Sequence, residues 1–145
     1  MCMYVKQLSI FMENRRGRID EMLTILGDNQ INIASVSLAD TSEYGVFRML
    51  VDDPERARSI LREHHITAAL NDVIAVSIPH EPGSLRKVIC ALHEAGIDIS
   101  YIYGLSLSDG GASIVIKADD LAGAEKTLTD LGVKMYDQES LSSML

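Results

Sequence analysis

Two short loops carry the residues best suited to hold a small charged ligand. The first contains Asn14, Arg15, Arg16 and Gly17; the second contains His80, Gly83 and Ser84. Each stands where a period-two pattern gives way to a helical one. A helix starting there presents unpaired N–H groups and the positive end of its dipole, which favour an anionic group. Glycine lets that group approach the backbone closely. Asn32 and Asp98 open the strand after each helix and offer oxygens to a donor such as an ammonium. His80 adds a ring nitrogen that can serve as a ligand group. This is the chemistry of binding, not of bond breaking: no Gly-rich phosphate loop, nucleophile elbow or metal motif occurs. The same residues also admit a plain structural reading. In it Gly17 and Gly83 serve helix–sheet packing, and Asn32 and Asp98 pair with the backbone at a strand start. Arg15, Arg16 and Arg18 are then a solvated loop edge, and His80 is an exposed loop histidine.

The elements that must position these loops occur twice. Gly17, Leu26, Ile31 and Ile33 are matched 66 positions later by Gly83, Leu92, Ile97 and Ile99. One extra residue then enters, and Asp52, Asp53, Ala57 and Leu61 are matched by Asp119, Asp120, Ala124 and Leu128. Such duplication decides the fold before any local feature does. Leu8, Ile10 and Met12, and likewise Ile74, Val76 and Ile78, alternate as half-buried strands. Ile19, Met22, Leu23 and Leu26 fall at helical spacing, as do Leu85, Val88, Ile89 and Leu92. Gly96 is placed to end the second of these helices, whereas Asp28-Asn29-Gln30 must end the first without a glycine. Parity slips at Val36 and Leu38, which signals a bulge. Thr41–Gly45 and Ser108–Gly111 read as hairpin turns. Phe47, Met49 and Val51, with Ile114, Ile116 and Ala118, line the core face of the next strands. Asp52-Asp53-Pro54 and Asp119-Asp120 cap a further helix in each half. The stripes Ala57, Ile60, Leu61 and Ala124, Leu128, Leu131 are expected to be buried. Short last strands fall near Ile66–Leu70 and Val133–Gln138.

The expected fold class is therefore α+β: two tandem ferredoxin-like β-α-β-β-α-β domains, 1–70 and 71–145, each an antiparallel sheet with helices on one face. Units of about 70 residues bury little alone, so each is expected to lean on the other or on a second chain. Asn71 and Asp72 are the only linker, too short for a flexible tether. The Ser-rich tail, Leu141–Leu145, is expected to fray.

Composition excludes several roles. Hydrophobic residues make up 47% of the chain, enough for a core, and the formal net charge is −8. Residues 1–70 hold 8 basic and 10 acidic side chains, and residues 71–145 hold 5 and 11. Neither half is basic, which argues against nucleic acid and against an anionic membrane. With only 5% aromatic residues, an RNA-stacking sheet is also disfavoured. There is no secretory pattern at the start and no apolar run of membrane-spanning length. Cys2 and Cys90 form no framework; Cys90 reads as a small core residue, and a reducing cytoplasm fits. His64 and His65 are adjacent and point apart, a poor metal pair. No metal and no cofactor is expected.

The stretch Phe11-Met12-Glu13-Asn14-Arg15-Arg16-Gly17-Arg18-Ile19 resembles the strand-to-helix loop of the ACT domain family, E-N-[KR]-P-G-x-[LI], with Arg16 replacing the common proline. Ile78-Pro79-His80-Glu81-Pro82-Gly83-Ser84-Leu85 is similar to it but carries His80 in place of the asparagine. Asn32 and Asp98 fit the family's G-[IV]-[ND]-I strand start. The resemblance covers about residues 4–138 and is nearest to stand-alone tandem ACT proteins. It implies a regulatory module with an amino acid or similar small molecule as ligand. It also implies side-by-side pairing into an eight-stranded sheet, hence a homodimer, and an enzyme of amino-acid metabolism or a regulator as partner. The ligand would lie between the Gly loop of one unit and strand residues near its neighbour. Its carboxylate would meet the helix start and its ammonium Asn32 or Asp98. The first unit keeps the fuller polar set, Asn14, Gly17 and Asn32; the second, with His80, Gly83 and Asp98, is expected to be altered or empty. A valine at Gly17 is expected to block the first site sterically. The rival reading is a module without ligand, serving as a scaffold or regulatory subunit.

Overall fold

Left-handed glycines fix where the first and third helices begin. The computed structural model describes residues 4–13, 15–40, 44–105, 107 and 112–145. In it Gly17 has φ 89° and Gly83 has φ 87°. The elements run β1 (Val5–Glu13), α1 (Arg18–Asp28), β2 (Ile33–Asp40), β3 (Tyr44–Val51), α2 (Pro54–Glu63) and β4 (Thr67–Ile78). They continue with α3 (Ser84–Glu94), β5 (Ile99–Leu105), β6 (Ala112–Ala118), α4 (Leu121–Leu131), β7 (Lys134–Tyr136) and α5 (Gln138–Ser143). Two compact units result. One comprises Lys6–Asn71 and Leu145; the other comprises Asp72–Met144, with Tyr4 and Val5.

In the unit of Lys6–Asn71 the strand order is β2-β3-β1-β4. β1 and β3 pair antiparallel with Leu8 opposite Met49 and Ile10 opposite Phe47. These side chains share the face that packs on Met22 and Leu26 of α1 and Leu61 of α2. In the unit of Asp72–Met144 the order is β7-β4-β6-β5, all antiparallel. Ile74, Val76 and Ile116 there pack on Val88 and Leu92 of α3 and Leu128 of α4. The tandem β-α-β-β-α-β frame is thus present. The parity slip is a register shift between Ile33 and Ser35, repeated between Ile99 and Tyr101.

Helix ends follow one rule. Asp53 accepts from the Arg56 N–H at 3.2 Å and Asp120 from that of Gly123 at 2.9 Å, so α2 and α4 are capped as their sequences require. At their C-termini α1 to α4 close by the same pair of bonds. In α3 the Gly96 N–H reaches His93 O and the Ile97 N–H reaches Leu92 O, both at 3.0 Å. In α1 the Gln30 N–H reaches Gly27 O and the Ile31 N–H reaches Leu26 O, also at 3.0 Å. The left-handed position is Gly96 or Gly132 in one unit but Gln30 (φ 59°) and His65 (φ 60°) in the other. The first helix therefore ends as cleanly as its counterpart, with a side chain carrying the strain.

Several expectations are corrected. The tail is not frayed at Leu141: Asp137 accepts the Ser140 N–H at 2.7 Å, α5 forms, and Leu141 is fully buried. Asn71 and Asp72 are not a loop but lie inside β4. Leu23, Leu85 and Leu131 are exposed, because each sits at the rim of its helix stripe. Cys90 is half-buried, not a core residue. From Gln7 to Ile10 the first strand is buried on both faces. Opposite the helices, Gln7 and Ser9 are buried, with Gln7 Nε2 donating to Ser9 Oγ at 3.3 Å and Ser9 Oγ donating to Asn71 Oδ1 at 2.6 Å. Such burial is affordable because the polar atoms bond one another. Cys2 and most of both expected hairpin turns lie outside the described residues.

Candidate functional site

The four main helices start in two different ways. Where α2 and α4 carry aspartate caps, α1 and α3 carry Gly17 and Gly83 with no side-chain cap. Their first-turn N–H groups are partly satisfied by the loop: Arg18 N donates to Arg15 O at 3.2 Å and Ser84 N to Glu81 O at 3.3 Å. The rest remain open to solvent or to a ligand. A Cβ built on Gly17 or Gly83 meets no heavy atom within 4 Å. Helix–sheet packing therefore does not require these glycines; their positive φ does. A valine at Gly17 would enter space that is empty of protein, so the expected steric block of a ligand there is joined by a backbone effect from the positive φ.

The two starts differ in charge. The first turn of α1 contains Asp20 and Glu21. Arg15 pairs with Glu13 at 2.6 Å and Arg18 with Glu21 at 3.0 Å, both in exposed positions. Two of the three loop arginines are thereby committed to carboxylates, and Arg16 stands exposed on the turn. Asn14 lies outside the described residues. The first turn of α3 has no acidic residue. His80 is exposed, while Ser84 is buried.

Asn32 and Asp98 do not join the glycine loops within their own units. The backbone N–H of Asn32 donates to Asp52 Oδ1 at 3.1 Å, and that of Asp98 donates to Asp119 Oδ1 at 3.1 Å. The return bonds, Asp52 N to Asn32 O and Asp119 N to Asp98 O, are also 3.1 Å. Both sites are at the far end of the sheet. The Gly17 loop follows Glu13, which pairs with Tyr44, whereas Asn32 precedes Ile33, which pairs with Val51. The length of β3 separates them, roughly 20 Å at strand rise. The same holds for Gly83 and Asp98 across β6. In these bonds the backbone, not the side chain, of each strand-start residue takes part, and both side chains are exposed.

β2 and β5 are edge strands. On β2, Val36 and Leu38 are 54% and 46% exposed although they pair with Met49 and Phe47 on the helix-side face. On β5, Ile102 is similarly exposed, and the Tyr101 and Tyr103 rings stack with centroids 6.3 Å apart. Among the described residues no group of three or more His, Cys, Asp or Glu could hold a metal ion, and no helix is long and apolar enough to cross a membrane.

Sequence spacing missed one feature. A cavity of about 660 Å³ lies in the unit of Asp72–Met144. Its wall joins the end of β4 (Ser77, Ile78), the loop (Pro79, Glu81), α3 (Ser84, Lys87, Val88) and the α4–β7 connection (Leu131–Lys134). No periodicity relates Lys87 to Val133, so only the packing of α3 beside α4 reveals it.

The family model described as the ACT domain pair matches residues 3–145. Among solved structures, protein BT0572 from Bacteroides thetaiotaomicron is 31% identical, with a TM-score of 0.91 over 97% of this chain and 96% of that one. The ligand-free regulatory subunit of aspartate kinase from Thermus thermophilus is 16% identical, with a TM-score of 0.61 over 86% of this chain and 91% of that one. The corresponding subunit from Thermus flavus is 15% identical, with a TM-score of 0.55 over 86% and 90%. At such identities the two subunits share the fold alone. No curated protein matches the chain.

Proposed function

This chain belongs to the ACT domain pair family, and on that premise we propose that it is a non-enzymatic regulatory protein whose ligand is an amino acid. The observation that carries the reading is the contrast among helix starts. Two are closed by aspartate, and two are left open behind a left-handed glycine with empty space above it. An open start offers fixed N–H donors to a carboxylate without displacing a protein cap.

The ammonium end needs acceptors that one unit does not bring to its own glycine loop. Antiparallel pairing of β2 with β2 of a second copy would turn the partner's strand start toward the Gly17 loop. A second copy's Asn32 would then face Gly17 across the seam, with Arg15 and Arg16 at its rim. The exposed Val36 and Leu38 on that edge support such pairing, since an unpaired apolar edge invites another strand. His80, Gly83, Ser84 and Asp98 would form the equivalent set on β5.

A ligand held across such a seam stabilises the paired arrangement by its differential affinity for it, and this is the signal relayed to an enzyme of amino-acid metabolism or a regulator. Calorimetric titration of the full chain with each of the twenty amino acids tests the reading. One of them is expected to bind and to shift the sedimentation equilibrium toward the dimer; no heat and no shift from any of them would leave the scaffold reading in its place. That rival draws its support from the ion pairs Arg15–Glu13 and Arg18–Glu21, which neutralise part of the first loop.

A further inference from the structure

We propose that the unit of Lys6–Asn71 carries a site for a phosphate-type oxyanion, free or as the phosphoryl end of a small molecule, in the hollow beside the α2–β4 turn. The hollow measures about 370 Å³ and is lined by Arg62, His65, Ile66, Thr67 and Ala68. None of these belongs to the glycine loops, to the starts of α1 and α3, or to the edge strands β2 and β5. The site is therefore apart from the one proposed for an amino acid.

The lining divides by chemistry. Ile66 and Ala68 are buried and make an apolar floor. Arg62, His65 and Thr67 are exposed, and they bring a guanidinium fork, an imidazole and a hydroxyl, all able to donate. Arg62 Nη2 donates to Ala68 O at 3.4 Å, which draws the guanidinium over the start of β4 and leaves its other N–H groups for a ligand. No Asp or Glu is among the lining residues. A helix C-terminus ordinarily disfavours an anion. Here its last carbonyls are already bonded. His64 Nδ1 donates to Ile60 O at 2.9 Å, the N–H groups of His64 and Ile66 donate to Leu61 O, and that of His65 donates to Arg62 O.

The duplication separates what the fold needs from what it does not. Thr129, Gly132 and Lys134 hold the matching positions in the other unit. Thr129 Oγ1 is turned back to Glu125 O at 2.7 Å, Gly132 has no side chain, and the Lys134 ammonium stands 5.3 Å from the centre of the Tyr136 ring. The same helix end closes there without a cluster of donors. His65 also occupies the left-handed position, at φ 60°, where Gly132 sits at 81° without cost. A side chain held in a conformation that favours glycine is accounted for when it has work to do there. Donors that approach from a helix, a turn and a strand suit a tetrahedral anion with three or more oxygens, whereas a carboxylate offers two.

The test is ¹H–¹⁵N NMR of the full chain at constant pH and ionic strength, with inorganic phosphate and methyl phosphate as probes and acetate and chloride as controls. Phosphate is expected to shift the amides of residues 62–68 saturably, with Kd on the order of 1 mM, and to bind at least about tenfold more tightly than acetate. Equal or weaker binding of methyl phosphate assigns the site to the free ion; tighter binding assigns it to a phosphorylated small molecule. Arg62→Gln, at an exposed position, is expected to weaken phosphate about tenfold. His65→Gly, which keeps the turn, is expected to weaken it about threefold without lowering the melting temperature; a merely structural histidine would leave the affinity unchanged. Shifts that do not saturate below about 50 mM would mark an adventitious ion only and overturn the proposal. Shifts that acetate or chloride reproduces, or that persist unchanged in both variants, would overturn it as well. No probe is an amino acid and no shift is read at the Gly17 or Gly83 loop, so this proposal and the amino-acid reading can each fail alone.

Discussion

The unit of Lys6–Asn71 and the unit of Asp72–Met144 close their helices with the same backbone bonds but entrust them to different residues. One uses Gln30 and His65 at the left-handed position, the other Gly96 and Gly132. At the helix starts the relation inverts: both use glycine, but α1 is crowded with Asp20, Glu21 and two ion pairs, whereas α3 has no acid and borders a cavity. What the copies share is the hydrogen-bond frame. What separates them is charge and conformational cost, the two properties that decide where a small anion can bind and how stable each unit is.

If the frame is duplicated in energy as well as in geometry, equivalent deletions should cost alike. Leu26 and Leu92 are both fully buried under their sheets. Leu26→Ala and Leu92→Ala are each expected to lose about 2–5 kcal/mol in urea unfolding. A large loss for one and a negligible loss for the other would break the equivalence. Gly17→Val and Gly83→Val come next. Neither meets a neighbour, so each is expected to cost about 1–2 kcal/mol from positive φ alone. Gly17→Val should also weaken amino-acid binding, because the loop must distort; unchanged affinity would move that site elsewhere.

Smaller effects sharpen the contrast. Gln30→Gly and His65→Gly should raise stability by up to about 1 kcal/mol each, bringing the first unit's helix ends to the second's standard. A decrease on thermal melting would mean that their side chains contribute more than their strain removes. Smallest is the effect of acid on α5. Hydrogen bonds from the Ser140 backbone and side chain hold the Asp137 carboxyl below its ordinary 3.8. A depressed folded value gives stability that is present above the ordinary value and lost as pH falls through the folded one. The protection of the Ser140 and Leu141 amides, taken relative to their intrinsic exchange rates, should therefore fall below about pH 4, and Asp137→Asn, which keeps a cap oxygen, should flatten that dependence. Protection that is equally low at neutral pH would contradict the cap.

Much of this was legible in the chain because the signals are local. The 66-residue offset, the parity slip at Val36, and Asp53 and Asp120 before their helices each report on neighbours in sequence. The illegible parts depend on what lies across space. Gln30 and His65 hide two helix ends because the side chain there disguises a position usually marked by glycine. The burial of Leu141 lifts a six-residue, Ser-rich segment into a helix that its composition argues against. That Asn32 and Gly17 stand a strand's length apart within one unit is likewise not reported by their spacing along the chain. The wall shared by Lys87 and Val133 has no trace in spacing at all.

The most direct test compares open and capped helix starts in one spectrum. ¹H–¹⁵N NMR of the full chain, titrated with the twenty amino acids in turn, should show one of them shifting the amides of Ile19 and Asp20, or of Leu85 and Arg86. The capped amides of Arg56 and Gly123 should stay in place. Uniform silence at α1 and α3, or the largest shifts at α2 and α4, would contradict the account.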